Sequence, residues 1–205
     1  MKTLKLFLSA VLAGISIALG GVVFLSVENK VTGAALFAVG VFMVCTLGFH
    51  LFTGKVCYVF QNGKDFALGL PVIWLGNLAG TGLVAGCVSL TRNAVIAERA
   101  LALWQTKLGD SLVSLFFLGV LCNIFIYVAV EGYNKNPHEL GKYLSILFGV
   151  MVFILAGTEH CVADMFYLWM SGAWCGRAVL SLLVITLGNA AGGVLIPLLR
   201  EFIRK

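Results

Sequence analysis

Charge is scarce in this chain. Only 11% of its 205 residues are Asp, Glu, Lys or Arg, and its mean hydropathy is +1.03. An ordinary soluble domain carries about 25% charged residues, so a water-facing globule is excluded. Proline is scarcer still, at Pro71, Pro137 and Pro197, which leaves long helices almost uninterrupted. The six cysteines, at 45, 57, 87, 122, 161 and 175, never form a C-x-x-C pair. All but Cys175 lie in or beside apolar segments, so small buried side chains fit them better than a zinc site or a disulfide framework. Neither H-E-x-x-H nor G-x-S-x-G occurs. A membrane-embedded enzyme with a His–Glu acid/base pair would therefore lack both metal and nucleophile, and neither enzyme chemistry nor a cofactor or metal is expected. The net charge of +5 comes from basic residues scattered at the termini and between apolar runs. It forms no basic stripe and does not suggest nucleic acid.

What is present is oil in runs of membrane-crossing length, near 20 residues each. We read residues 1–205 as a single transmembrane domain. Its six spans lie at about 6–26, 32–61, 66–90, 111–130, 143–171 and 176–199. The opening "MKTLKLFLSAVLAGISIALGG" has the look of a signal peptide, but the apolar run continues to Val27 without a cleavage region, so it reads as a retained first span. Six spans place both termini on one side. That side carries nine of the Lys and Arg residues and the other five, which predicts cytoplasmic termini in the inner or plasma membrane. The longest polar connection, Thr91–Asp110, then faces outward.

Two spans are too long and interrupted. The second contains "GFHLFTGKV", Gly48–Val56, and the fifth "LAGTEHCVAD", Leu155–Asp164. Each combines Gly, Thr and His in mid-span; Gly54 and Gly157 are candidate breaking residues. Both read as helices broken at membrane depth, tolerated only where the freed backbone is buried or lines a cavity. The next span in each case repeats a motif, "LGNLAG" from Leu75 and "LGNAAG" from Leu187. Three-span halves, about 1–95 and 108–205, must enter the membrane from opposite sides. The expected fold is thus all-α, six transmembrane helices in an inverted repeat with helices 2 and 5 broken and a site at the midplane. Asn77 and Asn189 are expected to bridge helices or cap the broken ends, and the small residues beside them to pack helices closely.

These residues resemble the formate/nitrite transporter family over nearly the whole chain. The resemblance rests on "GFHLFTGKV", on "GVLCNIFIYVAV" at Gly119–Val130, on "AGTEHCVADMFYLWMSG" at Ala156–Gly172, and on the two L-G-N motifs. It implies an aquaporin-like protomer in a homopentamer, passing small anions such as formate, nitrite or hydrosulfide in step with protons. Carried over, His160 matches the central pore histidine, Thr53 the threonine of the second span, Asn123 the asparagine of the fourth and Glu159 the acid beside the histidine. Phe37, Leu51, Phe52 and Phe153 match the apolar residues of two constrictions, and Val41 stands where a bulkier leucine is common. Three positions depart from the pattern: Asp164 replaces an asparagine, His50 a frequent acid and Thr158 a frequent phenylalanine. They are candidates for tuning charge near the site.

The chemistry is consistent with that resemblance. An anion resists an apolar constriction, and protonation removes most of that cost. Histidine titrates nearest neutrality, and an ionisable group inside a membrane is functional by default. The expected path runs past Thr53, Asn123 and His160, with the neutral acid slipping between Phe37 and Phe153. Glu159 is expected to accept bonds from N–H groups of its own loop, and Asp164 to pair with His50, with another basic group or with a neighbouring subunit. Thr53 has two open roles, capping the second half-helix or touching substrate. Alternatives are a neutral-solute pore of the aquaglyceroporin type, whose paired Asn-Pro-Ala motifs are missing here, and a carrier of short monocarboxylates such as acetate or lactate.

Overall fold

The computed structural model describes residues 1–204. They form nine α-helices: α1 Lys2–Ser26, α2 Lys30–Leu47, α3 Phe52–Val56, α4 Lys64–Ser89, α5 Ala94–Gly109, α6 Leu112–Lys135, α7 Glu139–Leu155, α8 Cys161–Ser171 and α9 Gly176–Arg204. A 3-10 turn lies at Val59–Gln61, and no strand occurs among the described residues. The second crossing is α2 plus α3 and the fifth is α7 plus α8. Division of the fifth crossing into pieces of 17 and 11 residues explains why only α1, α2, α4, α6 and α9 are single helices long and apolar enough to cross a membrane. Large apolar side chains such as Leu68, Leu83, Val113, Phe148 and Leu187 stand exposed around the bundle, a surface suited to lipid or to other subunits.

Both breaks fall where the sequence places them, but one glycine differs from expectation. Gly54 is buried inside α3. The residue that turns the chain out of α2 is Gly48, whose φ of 73° is the left-handed conformation glycine adopts without steric cost. At the second break, Gly157 does the same with φ 67°.

The two L-G-N motifs hold these breaks in the same way. Asn77 Oδ1 accepts from the Phe52 N–H at 2.8 Å, while its Nδ2 donates to the carbonyls of Ala10 (2.8 Å) and His50 (3.0 Å). Asn189 Oδ1 accepts from the Cys161 N–H at 2.8 Å, and its Nδ2 donates to the carbonyls of Gly119 and Glu159, both at 2.8 Å. Each pair of partners, Phe52 and Cys161, His50 and Glu159, Ala10 and Gly119, lies 109 residues apart. Each asparagine ties the break to a carbonyl of α1 or α6 and satisfies two backbone groups that the break has freed. Each would cost about 1–3 kcal/mol if buried unpaired. The same equivalence governs packing. A Cβ on Gly80 would strike the Val11 carbonyl and one on Gly192 the Val120 carbonyl, so glycine lets α1 press on α4, and α6 on α9.

The residues read as a polar connection, Thr91–Asp110, instead hold α5. It buries Ile96, Ala100, Trp104 and Lys107 and packs on α8. The Trp104 indole N–H donates to the Asp164 carbonyl at 3.2 Å. Arg99 on α5 donates to the Leu25 and Val27 carbonyls at the end of α1. On the opposite face Tyr58 and Arg200 both bond Glu131, gathering the ends of α3, α6 and α9. α1 begins and α9 ends on that face, so both termini share it.

Candidate functional site

α8 begins at the centre of the bundle, and His160 is its N-cap. The His160 Nδ1 accepts the Ala163 N–H at 3.1 Å. A ring nitrogen that accepts from a backbone amide carries no proton, so the proton of the neutral ring sits on Nε2. Nε2 therefore donates to Thr53 Oγ1, 2.9 Å away on α3. The Thr53 hydroxyl hydrogen is left free to turn elsewhere. Thr53 and His160 join the two half-helices side chain to side chain, and both are buried.

Aromatic rings cover this pair. Phe153 stacks on the imidazole at a centroid distance of 5.6 Å and an interplanar angle of 17°. Phe37 meets Phe153 edge to face at 6.1 Å, and Phe24 meets Phe37 at 6.2 Å. These rings and His160 wall a cavity of about 230 Å³ that also touches Lys107, Glu159 and Asp164. It opens away from the termini. From the terminus face a second cavity of about 160 Å³ is lined by Val41, Leu51, Lys55 and Tyr58. Since a water occupies roughly 30 Å³ of liquid, each has room for several waters or a group of that size. His160 closes the floor of one and Leu51 lines the other. Thr53 lines neither and lies in the barrier between them. Phe52, expected at a constriction, also lines neither cavity.

Asn123 Nδ2 donates to the carbonyls of Thr53 (3.1 Å) and Asn189 (2.7 Å), leaving its Oδ1 buried without a protein partner. It thus ties the α3 half-helix to α9. Thr158 caps the end of α7 by donating to the Phe153 carbonyl at 2.8 Å. His50 bonds the Ser9 hydroxyl at 2.7 Å and has no contact with Asp164, so the pairing of those two residues is corrected.

Asp164 pairs with a basic residue that sequence reasoning missed. The Lys107 ammonium lies 3.2 Å from Asp164 Oδ1 and also bonds Glu159 Oε2. This corrects the expected loop bonds of Glu159: its carboxylate pairs with Lys107, and its own N–H donates to the Leu118 carbonyl. The signal for Lys107 was available. Ile96, Ala100, Trp104 and Lys107 recur at helical spacing, and a lysine on the apolar stripe of a helix needs a buried partner. Its partners, 52 and 57 residues further on, could not be read from that spacing.

The comparisons with known proteins agree with this geometry. The formate/nitrite transporter family profile matches residues 1–202. The formate channel FocA of Haemophilus influenzae is 29% identical over 185 residues, which span 80% of this chain and 65% of that protein. The nitrite transporter NirC of Salmonella typhimurium is 29% identical over 220 residues, 93% of this chain and 80% of that one. A pentameric formate channel solved with formate bound superposes with a TM-score of 0.85 over 99% of this chain and 98% of its own, at 24% identity, which speaks for the fold. With its apolar crossings, two broken helices and a histidine at the centre, this multi-pass membrane chain belongs to the formate/nitrite transporter family.

Proposed function

We propose that the protein conducts small monovalent anions of weak acids, formate foremost and nitrite or hydrosulfide next, in step with protons. We further propose that it does so as a homopentamer in the cell inner or plasma membrane with both termini cytoplasmic. Its named relatives are channels and transporters, which favours transport over catalysis. One observation carries the reading: a neutral His160, presenting Nε2–H toward Thr53, forms the floor of a lysine-bearing cavity walled by Phe37 and Phe153.

The chemistry follows from that arrangement. Transfer of a carboxylate-sized anion from water into a medium of dielectric near 4 costs on the order of 20 kcal/mol in the ideal limit. The N-terminus of α8 favours negative charge at the floor of the cavity, and the His160 Nε2–H and Thr53 hydroxyl stand in the barrier just beyond it. Beyond it the aromatic and aliphatic walls pass the neutral acid far more readily. The anion is drawn in and held by hydrogen bonds, and it crosses after taking up a proton.

The test is uptake by proteoliposomes of formate, nitrite and hydrosulfide, with internal pH recorded, for wild type and His160→Phe. Formate uptake that acidifies the interior in wild type and collapses in the variant supports the reading. Unaltered proton-coupled uptake by His160→Phe would overturn it. Glycerol-driven swelling without anion uptake would favour the neutral-solute pore instead.

A further inference from the structure

The cavity that leads to His160 holds one cation and two carboxylates, all buried. Lys107 is 7% exposed, Glu159 8% and Asp164 2%. The Lys107 ammonium touches both acids, and the two carboxyl groups also interact with each other. Asp164 Oδ2 is buried with no hydrogen-bond partner in the protein.

The surroundings supply no second counter-charge. From α2, Lys30 reaches the same cavity but stands exposed in solvent. From α5, Arg99 is engaged by the Leu25 and Val27 carbonyls. The other titratable groups facing the cluster are Tyr167 and Cys161 of α8 and Cys122 of α6. A phenol and two thiols bring no positive charge. His160 has its Nδ1 lone pair taken by the Ala163 N–H. No charged residue of α1, α4 or α9 lines the cavity.

Fully ionised, the cluster therefore carries a net negative charge out of water. That is costly in itself, and it repels an anion on the route to His160. One added proton removes both problems and occupies an oxygen that is otherwise bare. His160 is a poor source of that proton, because Nε2–H cannot be surrendered unless Nδ1 gains a proton and breaks its cap.

We propose, on the anion-channel reading given above, that Asp164 holds one exchangeable proton, shared with Glu159 and balanced by Lys107, and hands it to the anion before the anion passes the Phe37–Phe153 contact. The step balances simply. The O–H bond of the Asp164 carboxylic acid breaks as an O–H or S–H bond forms on the anion. This leaves an Asp164 carboxylate and a neutral acid, and no electrons change hands. Water at the cavity mouth returns a proton to Asp164. The asparagine that stands here in the family pattern has no such proton to give.

Two measurements on the full-length protein test this. Infrared difference spectra of the protein in nanodiscs, between acid and alkaline buffer, read protonated carboxyls directly. Wild type should show such a band, Asp164→Asn should lose it, and Asp164→Glu should keep it at a shifted frequency. In proteoliposomes, formate uptake by Asp164→Asn should fall roughly a hundredfold at the alkaline end, the order contributed by a positioned acid. It should approach wild type in acid buffer, where the solvent supplies protons, and Asp164→Glu should retain most uptake throughout. No protonated-carboxyl band in wild type, or a band that survives in Asp164→Asn, overturns the proposal. So does wild-type uptake by Asp164→Asn at every pH. If wild type moves no anion at all, the channel reading falls, while the infrared spectra still decide whether Asp164 holds the proton.

Discussion

The two mouths of the path share one skeleton and differ in chemistry. The half-helix α3 has Leu51 at its N-cap and Lys55 one turn on, while α8 has His160 at its N-cap and Asp164 one turn on. These positions correspond at the same spacing of 109 residues that relates the asparagine caps. The mouth at α3 sets a single partly exposed lysine beside Tyr58 and Asn134 and holds no carboxylate. The mouth at α8 buries a lysine, two carboxylates and a histidine. Backbone geometry is thus common to the halves, and the buried charged cluster lies on one side. The comparison teaches that the asparagines and the glycines at the bends serve the fold alike in both halves, whereas the residues between them differ in charge from one half to the other.

The sharpest way to break the comparison is through its shared element. Asn77→Leu and Asn189→Leu should each leave two buried backbone groups at a break unpaired, at about 1–3 kcal/mol apiece. Both should yield little assembled protein by size-exclusion chromatography. A large loss from one and none from the other would show that the halves are not held alike. Next come the lysines, where the halves should diverge. Lys107→Met strands two buried acids and should cost about 3–5 kcal/mol, read as a lowered unfolding temperature in detergent at neutral pH. Lys55→Met should stay within about 0.5 kcal/mol of wild type. Equal effects would contradict the asymmetry.

His160→Leu would give both half-helices the same N-cap. Loss of one hydrogen bond to a charged group, about 1.5–3 kcal/mol, corresponds to roughly a ten- to hundredfold fall in formate flux, measured by stopped-flow on proteoliposomes. The fold should persist, because Asn189 still holds the Cys161 N–H and the Glu159 carbonyl. The smallest effect lies outside both mouths. Lys142→Ala removes the exposed pair with Glu139 and should leave the unfolding temperature unchanged within error, a control for the charge changes inside.

Much of this plan was legible in the chain. Hydropathy located the six crossings, because a membrane imposes length and apolarity on every one. Gly48, Gly157 and the neighbouring polar residues marked the breaks, because regular helices rarely place them together in mid-span, although Gly54 drew attention that belonged to Gly48. The recurrence of L-G-N marked the two halves as repeats, and Asn77 and Asn189 were legible as bridges between helices or caps of the broken ends; their bonds do both. What the chain hid was α5. Its helix carries enough polar residues on the outer face to read as a connection, and hydropathy averages over the stripe that docks on α8. Lys107 went unread with it, although its place on the apolar stripe of α5 marks it as buried. Its partners meet it only through the packing of α5 on α8. Glu159 and Asp164 were visible as anomalies, and their common counter-ion was not.

Every bond that Asn77 and Asn189 make at the breaks goes to main-chain N–H and C=O groups. The architecture is therefore blind to the side chains it presents. A replacement at positions 50–55 or 159–164 alters what meets the permeant molecule while the clamps around it keep their grip. Such a scaffold can vary the side chains at its centre one at a time, and the aspartate at position 164 is held by the same main-chain clamps as any residue in its place.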